Sequence, residues 1–374
     1  MENKVITKPT TLPNLGILRA FLAITVVLLH IPLMTKNLNL PSFNEWPILN
    51  RGYHAVWGFF ILSGFLIIRL LFIEKNNTST INVKSFYTRR ILRIYPVYYL
   101  VLLIGLIFYH YILPLLHIKF DTNYTIAEAL IWCVALMPNV FFSMYDPGGI
   151  LSVLWSIGIE EQFYLFIAPI SRFIKTKFFT ISLAIFTIMY FIIYFIPEFE
   201  FLRKFRLMYF YFSFGGLVSI LNFKGKIEWL TTNKPLRYIS YILFTLYFFT
   251  NVFEFSNEAL KHFSSLIIFS LFILFISTED KFIIKNKFLN HMGNISYGIY
   301  MYHMIALYIT IFIGSKLNIV NALGQIGSII FYNLSTIGIS VLFAHISYEY
   351  LEKKFLSLKS KFRKQTTIKK IIHT

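Results

Sequence analysis

Three ionisable residues, Arg19, His30 and Glu160, interrupt stretches that are otherwise apolar enough to lie in a membrane. Arg19 and His30 share residues 15–34, LGILRAFLAITVVLLHIPLM, about twenty mostly apolar residues and enough to cross a bilayer once. They are 11 positions apart. At ~100° and ~1.5 Å per residue, both project from one stripe of a helix, ~16 Å apart along its axis. Ionisable groups at membrane depth are expensive and face a protein interior or a wet cavity. Glu160 lies in LWSIGIEEQFYL, ~7 Å of helix rise beyond Trp155. With Trp155 in an interfacial belt, Glu160 sits in the outer half of its span. His30 sits in the outer half of the first span, so imidazole and carboxylate stand at similar depth and can pair. Glu161 points elsewhere on the helix. A neutral imidazole can take the proton of a poor nucleophile such as a sugar hydroxyl, and a carboxylate can orient the ring. The structural alternative has Arg19 snorkelling to the interface, His30 packing, and the carboxylates held by serines or arginines.

Other polar groups collect around these. Arg69, Arg89, Arg90 and Arg93 form a basic cluster with Tyr95, Tyr98 and Tyr99 beside it. Guanidinium forks bind phosphates, which makes the cluster a phosphate clamp in one reading. In the other it marks the inner side of the membrane and touches lipid headgroups. Arg19 lies between this cluster and the His30–Glu160 pair and could polarise a carbonyl. The late run ISYGIYMYHM contributes Ser296, Tyr297, Tyr300 and His303. Tyr300 and His303 are three apart and share a helix face. Ser63 and Gly64, in GFFILSGFLI, are small residues that let helices approach closely. The lone cysteine, Cys133, excludes an internal disulfide, and no paired metal-ligand spacing occurs, so no metal is expected.

The elements that must position these groups are membrane helices. The chain of 374 residues is 57% hydrophobic and 14% charged, against ~45–50% and ~25% for a soluble domain. The expected fold is all-α and polytopic, about ten spans with a re-entrant segment and no soluble domain. The expected spans are 15–34, 53–72, 95–116, 154–173, 178–196, 207–221, 236–253, 263–277, 295–313 and 326–347. Residues 75–94 read as an inner loop, and Pro96 as part of the third span's first turn. Residues 126–142 are apolar, yet charge bias puts both neighbouring ends outside, so the segment cannot cross. Both termini are expected on the cytoplasmic side of the membrane, with Lys4 and Lys8 before the first span. The N-terminal segment is 1–14, the membrane domain 15–352, and a basic tail, 353–374, lies along the anionic inner leaflet. The net charge of +18 would suggest nucleic acid in a soluble protein. Here the cations sit at the ends of apolar segments, so membrane lipids are the expected partner and nucleic acid is not. Arg203, Lys204 and Arg206 break the pattern by falling outside.

Six motifs in order resemble the acyltransferase-3 family of bacterial membrane O-acyltransferases. They are RAFLAITVVLLH (19–30), FFILSGFLI (59–67), FYTRRILRIYPVYY (86–99), WSIGIEEQFYL (155–165), ISYGIYMYH (295–303) and SYEYLEKKF (347–355). The resemblance runs from residue 15 to 355. It implies about ten membrane helices and transfer of an acyl group, most often acetyl, from cytoplasmic acyl-CoA to a hydroxyl of a surface or lipid-linked glycan such as O-antigen or capsule. Its motif residues carry over to Arg19, His30, Arg90, Arg93, Ser156 and Glu160. This chain departs from many members at Trp57, where they have an acidic residue, and at Lys354, where they have proline. Some members carry an extracytoplasmic hydrolase-like domain; this chain is not expected to, and is expected to complete the transfer itself or to hand the acyl group to a separate protein. The expected donor is acetyl-CoA, with the inner arginines on its phosphates. Two alternatives are an exporter of a glycan or small anion, and an acyltransferase acting on a small molecule. Acceptor identity, direct transfer against an acyl-enzyme, and oligomeric state stay open at this level.

Overall fold

A backbone surrounded by lipid must satisfy its own polar groups, and long apolar runs do so as helices. The computed structural model describes residues 12–278 and 283–358, and each expected span is helical in it, with no strand among the described residues. Lys4, Lys8, Lys281 and the tail from 359 onward lie outside the described residues. The principal helices are α1 (Leu15–Asn37), α2 (Gly52–Thr78), α3 (Val83–Ile107), α4 (Ile126–Val134), α5 (Pro138–Tyr145) and α6 (Leu154–Phe173). They continue as α7 (Thr176–Phe195), α8 (Tyr209–Phe223), α9 (Lys234–Phe249), α10 (Glu258–Thr278), α11 (Lys287–Lys316) and α12 (Ile319–Ser347). The protein is all-α and polytopic. Eight of the ten expected spans are long and apolar enough to cross a bilayer. The other two, α8 and α9, have 15 and 16 residues, ~22 and ~24 Å of helix.

Residues 126–142 form no crossing helix. They break into α4 and α5, of 9 and 8 residues, around a turn in which Leu136 takes a left-handed conformation, φ 61°. A capping box between Thr125 and Glu128 opens α4.

Two sequence expectations need correction. Residues 75–94 are not a loop: α2 runs on to Thr78 and α3 starts at Val83. Arg89, Arg90 and Arg93 therefore stand on a helix, and Pro96 lies in its interior. Charge ended the apolar run but not the helix, which continues to a depth where arginines reach polar surroundings.

Small residues bring the central helices together. α1 and α11 meet backbone to backbone at Gly16 and Gly293, where a Cβ on Gly293 would lie 2.6 Å from the Gly16 carbonyl. α2 meets α8 in the same way, Gly64 against the Phe212 backbone and Gly215 against the Ile61 carbonyl. The buried Lys75 amine, on α2, caps the end of α6 by donating to the carbonyls of Ser171 (2.6 Å), Arg172 (3.0 Å) and Ile174. It thereby fixes the helix that carries Glu160.

Candidate active site

α1, α2, α6 and α11 line two cavities in series, with α3 added at the first. The first, of about 290 Å³, is lined by Arg19, Ser63, Arg90, Arg93, Ser156, Glu160, Tyr164, Ser296, Tyr297 and Tyr300 together with apolar side chains. The second, of about 380 Å³, is lined by His30, Tyr53, Phe120, Phe142, Asp146, Trp155, Tyr300 and Tyr308 among others. Val56 and Tyr300 line both and form the wall between them. Each central helix contributes at two levels. α1 gives Arg19 to one cavity and His30 to the other, so the shared stripe does face the protein interior. α2 gives Ser63 and then Tyr53; α11 gives Tyr297 and then Tyr308.

In the arginine cavity, three guanidinium groups face one carboxylate. Arg19 interacts electrostatically with Arg90, Arg93, Glu160 and Tyr164. The Arg90 guanidinium lies over the rings of Tyr164 (5.4 Å) and Phe86 (5.7 Å), and its Nε is buried without a hydrogen-bond partner among the described residues. Crowded cations in a low-dielectric site favour an anionic ligand, and guanidinium forks suit phosphate. Glu160 accepts hydrogen bonds from the Ser63 and Tyr164 hydroxyls, which also contact one another. Ser156 Oγ and the Tyr300 hydroxyl are 2.6 Å apart, and Tyr300 also donates to the Val153 carbonyl at 3.2 Å. That bond fixes the dividing wall.

In the histidine cavity, the expected imidazole–carboxylate pair is absent. The neighbour of His30 is the imidazole of His303, with ring centroids 4.9 Å apart. His30 Nδ1 lies 2.9 Å from the Val26 carbonyl. A carbonyl only accepts, so the neutral ring carries its proton on Nδ1 and leaves Nε2 as the basic nitrogen. The same holds for the buried His303, whose Nδ1 is 2.5 Å from the Tyr300 carbonyl and whose Nε2 has no partner among the described residues. Glu160 lies on the far side of Tyr300 because a short helix, Gly149–Ser152, runs directly into α6 and lengthens the helical stretch ahead of it. The helical stretch is Gly149–Phe173, and Trp155 is buried at 6% exposure rather than interfacial. Counted from Gly149, Glu160 is ~16 Å into the segment, not ~7 Å.

The basic cluster divides. Arg90 and Arg93 line the cavity. Arg89 turns to Glu74 at 3.8 Å, and Arg69 lies over the Phe223 ring at 5.2 Å. Neither of these two lines the cavity. Two groups escaped the sequence reading. Tyr164 was legible as the i+4 neighbour of Glu160. The buried carboxylate of Glu352 interacts with Arg93 and accepts from Ser347 at 3.4 Å; no local pattern marks it. Glu161, buried beside Glu160, faces Tyr95 and Arg90. Among the described residues, no three His, Cys, Asp or Glu side chains come together as a metal site.

The six motifs thus converge on one helical core, and the acyltransferase-domain family, acyltransferase-3, matches residues 12–345. The chain belongs to the acyltransferase-3 family. It is 25% identical over 308 residues to the protein named "Putative acetyltransferase ORF330" of Acidianus two-tailed virus, covering 78% of this chain and 82% of that one. It is 31% identical over 174 residues to O-acetyltransferase OatA of Staphylococcus aureus (strain NCTC 8325 / PS 47), covering 46% of this chain and 26% of OatA. The chain thus matches only about a quarter of OatA's length. No solved structure matches. Membership of an acyltransferase family, in a chain with several bilayer-length apolar helices, makes this a multi-pass membrane protein and favours acyl transfer over the exporter reading.

Proposed function

We propose that the protein is an O-acetyltransferase that takes acetyl from acetyl-CoA at the arginine cavity and delivers it to a hydroxyl of a lipid-linked or surface glycan, such as O-antigen or capsule, at the histidine cavity. The observation that carries this reading is the pair of cavities strung along α1, cationic at one level and imidazole-lined at the other, with a wall of two side chains between them. In this reading the arginine cavity opens to the cytoplasm of a bacterial inner membrane and both termini are cytoplasmic. At about 290 Å³ the cavity is at the low end for ligand sites. It suits an extended thioester arm, with the charged nucleotide outside it.

Arg90 and Arg93 hold donor phosphate, and Arg19 draws the thioester carbonyl inward. Ser63 and Tyr164 keep the Glu160 carboxylate fixed as the counter-charge of Arg19. The aromatic lining of the second cavity takes the acceptor sugar, and His30 Nε2 removes its hydroxyl proton. The new C–O bond forms as the C–S bond breaks, and the thiolate leaves on the donor side. The acceptor is membrane-anchored or presented at the surface, by a separate extracytoplasmic protein where the chain does not complete the transfer alone.

Full-length protein in proteoliposomes, given labelled acetyl-CoA and polysaccharide fractions, tests this. Transfer of label to glycan is expected, with loss in His30→Ala. Transport of glycan with no label transferred would overturn the reading.

A further inference from the structure

The segment joining α7 to α8 carries Arg203, Lys204 and Arg206, the cations that break the charge pattern. Arg203 is occupied locally, its Nη1 donating to the carbonyls of Tyr194 (2.5 Å) and Ile196 (3.3 Å). Lys204 is exposed, its amine 5.6 Å from the Phe205 ring. Arg206 is placed differently. Its guanidinium lies 4.6 Å from the Phe142 ring, 4.8 Å from Trp155 and 5.1 Å from Tyr53. All three rings line the histidine cavity. The charge is also within electrostatic reach of Tyr300, part of the dividing wall.

The backbone is built to hold it there. Arg206 has φ 57°, a left-handed conformation that non-glycine residues rarely adopt. Asn139 donates to the carbonyl before it, on Phe205 (2.8 Å), and Tyr190 to the carbonyl after it, on Leu207 (2.9 Å). The Leu207 N–H donates to the Leu202 carbonyl at 2.8 Å. Among the described residues no carboxylate pairs with Arg206 and no acceptor takes its N–H groups. Packing alone would explain stacked guanidinium faces. The half-buried donor edge is left available to a ligand, beside the rings of a cavity that His30 also lines.

We propose that Arg206 recognises an anionic group on the acceptor, so that the histidine cavity selects a glycan bearing a carboxylate or phosphate. The inference rests on the acceptor reading of that cavity, and it adds the charge of the substrate. Two sources share this chemistry: an acidic sugar, and the phosphate of a lipid carrier.

A binding experiment that needs no acyl transfer comes first. Purified full-length protein is titrated with glucuronate, inorganic phosphate and glucose while tryptophan fluorescence is recorded, and Trp155→Phe identifies the responding ring. A saturable Trp155 signal with glucuronate, phosphate or both is expected, weakened at least tenfold in Arg206→Gln. A response to glucuronate only identifies an acidic sugar, and one to phosphate only identifies the carrier. The second experiment compares acetyl transfer to an acidic oligosaccharide and to its carboxyl-reduced counterpart. Arg206→Gln should lower the acidic-to-neutral kcat/KM ratio at least tenfold, through KM, with Arg206→Lys intermediate; the lysine variant serves alone if the glutamine variant does not accumulate. No anion-dependent signal, an unchanged signal in the variant, or equal losses on both acceptors would overturn the proposal. An anion signal from a protein that acetylates neither acceptor would leave the anion site standing and remove the acyl-acceptor reading instead.

Discussion

The arginine cavity and the histidine cavity share a wall and four helices, yet they are built for opposite tasks. Around the first, Arg19, Arg90 and Arg93 outnumber the Glu160 carboxylate, and two hydroxyls are tied to that carboxylate. Around the second, His30 lines the cavity with the His303 ring packed against it, among a ring of aromatic side chains, with Asp146 exposed at one side. A cationic chamber suits a ligand that arrives charged. An imidazole chamber suits a neutral hydroxyl that must lose a proton. On the proposed function, keeping them at separate levels of the same helices would let donor and acceptor approach from opposite ends, with only Val56 and Tyr300, which line both cavities, between them.

The difference can be attacked from either side. The largest effect should come from a change that ignores the division. Gly64→Val places a Cβ against the Phe212 backbone and should cost roughly 3 kcal/mol through overpacking of α2 against α8. Because α2 lines both cavities, donor binding and transfer should fail together, read as lost accumulation and a lowered melting temperature in detergent. Next is His30→Ala, which should lower glycan acetylation by roughly 10²- to 10⁴-fold while acetyl-CoA binding, followed by calorimetry, stays within about twofold. Donor affinity falling in parallel would mean that the cavities are one site. Arg93→Ala should act the other way, raising KM for acetyl-CoA by roughly 10- to 100-fold, the worth of one charge-assisted contact, with little change in acceptor KM. The smallest effect belongs to Arg69→Gln. Arg69 lies under Phe223 and outside the cavity, so donor KM should move by less than about twofold. A shift as large as that of Arg93→Ala would restore Arg69 to the phosphate clamp.

Much of the fold was legible because a membrane leaves the chain few options. Apolar runs of bilayer length must be helices, and each expected span is one. The non-crossing segment at 126–142 followed from charge bias and is broken into two short helices. The site was legible in part. Arg19 and His30 project from one stripe because helical period alone dictates it. Glu160 was assigned to the wrong level because Trp155 was taken as an interfacial marker, whereas it is packed inside under the Arg206 guanidinium. The arginine cluster was treated as one group, although helix rotation turns Arg89 toward Glu74 and leaves Arg90 and Arg93 facing the cavity.

By itself, then, the sequence determined the all-helical membrane fold, the family and the inward-facing stripe of α1. Each of these follows from hydropathy, periodicity or motif order within short stretches. The tertiary structure alone decided that His30 faces His303 rather than Glu160, that Tyr300 divides two chambers, and that Arg206 stands over the second. Those facts depend on where one helix begins relative to another and on which loop closes over which cavity. Contacts between residues some fifty to nearly three hundred positions apart set such relations, from Arg206–Trp155 to His30–His303, and no local spacing encodes them.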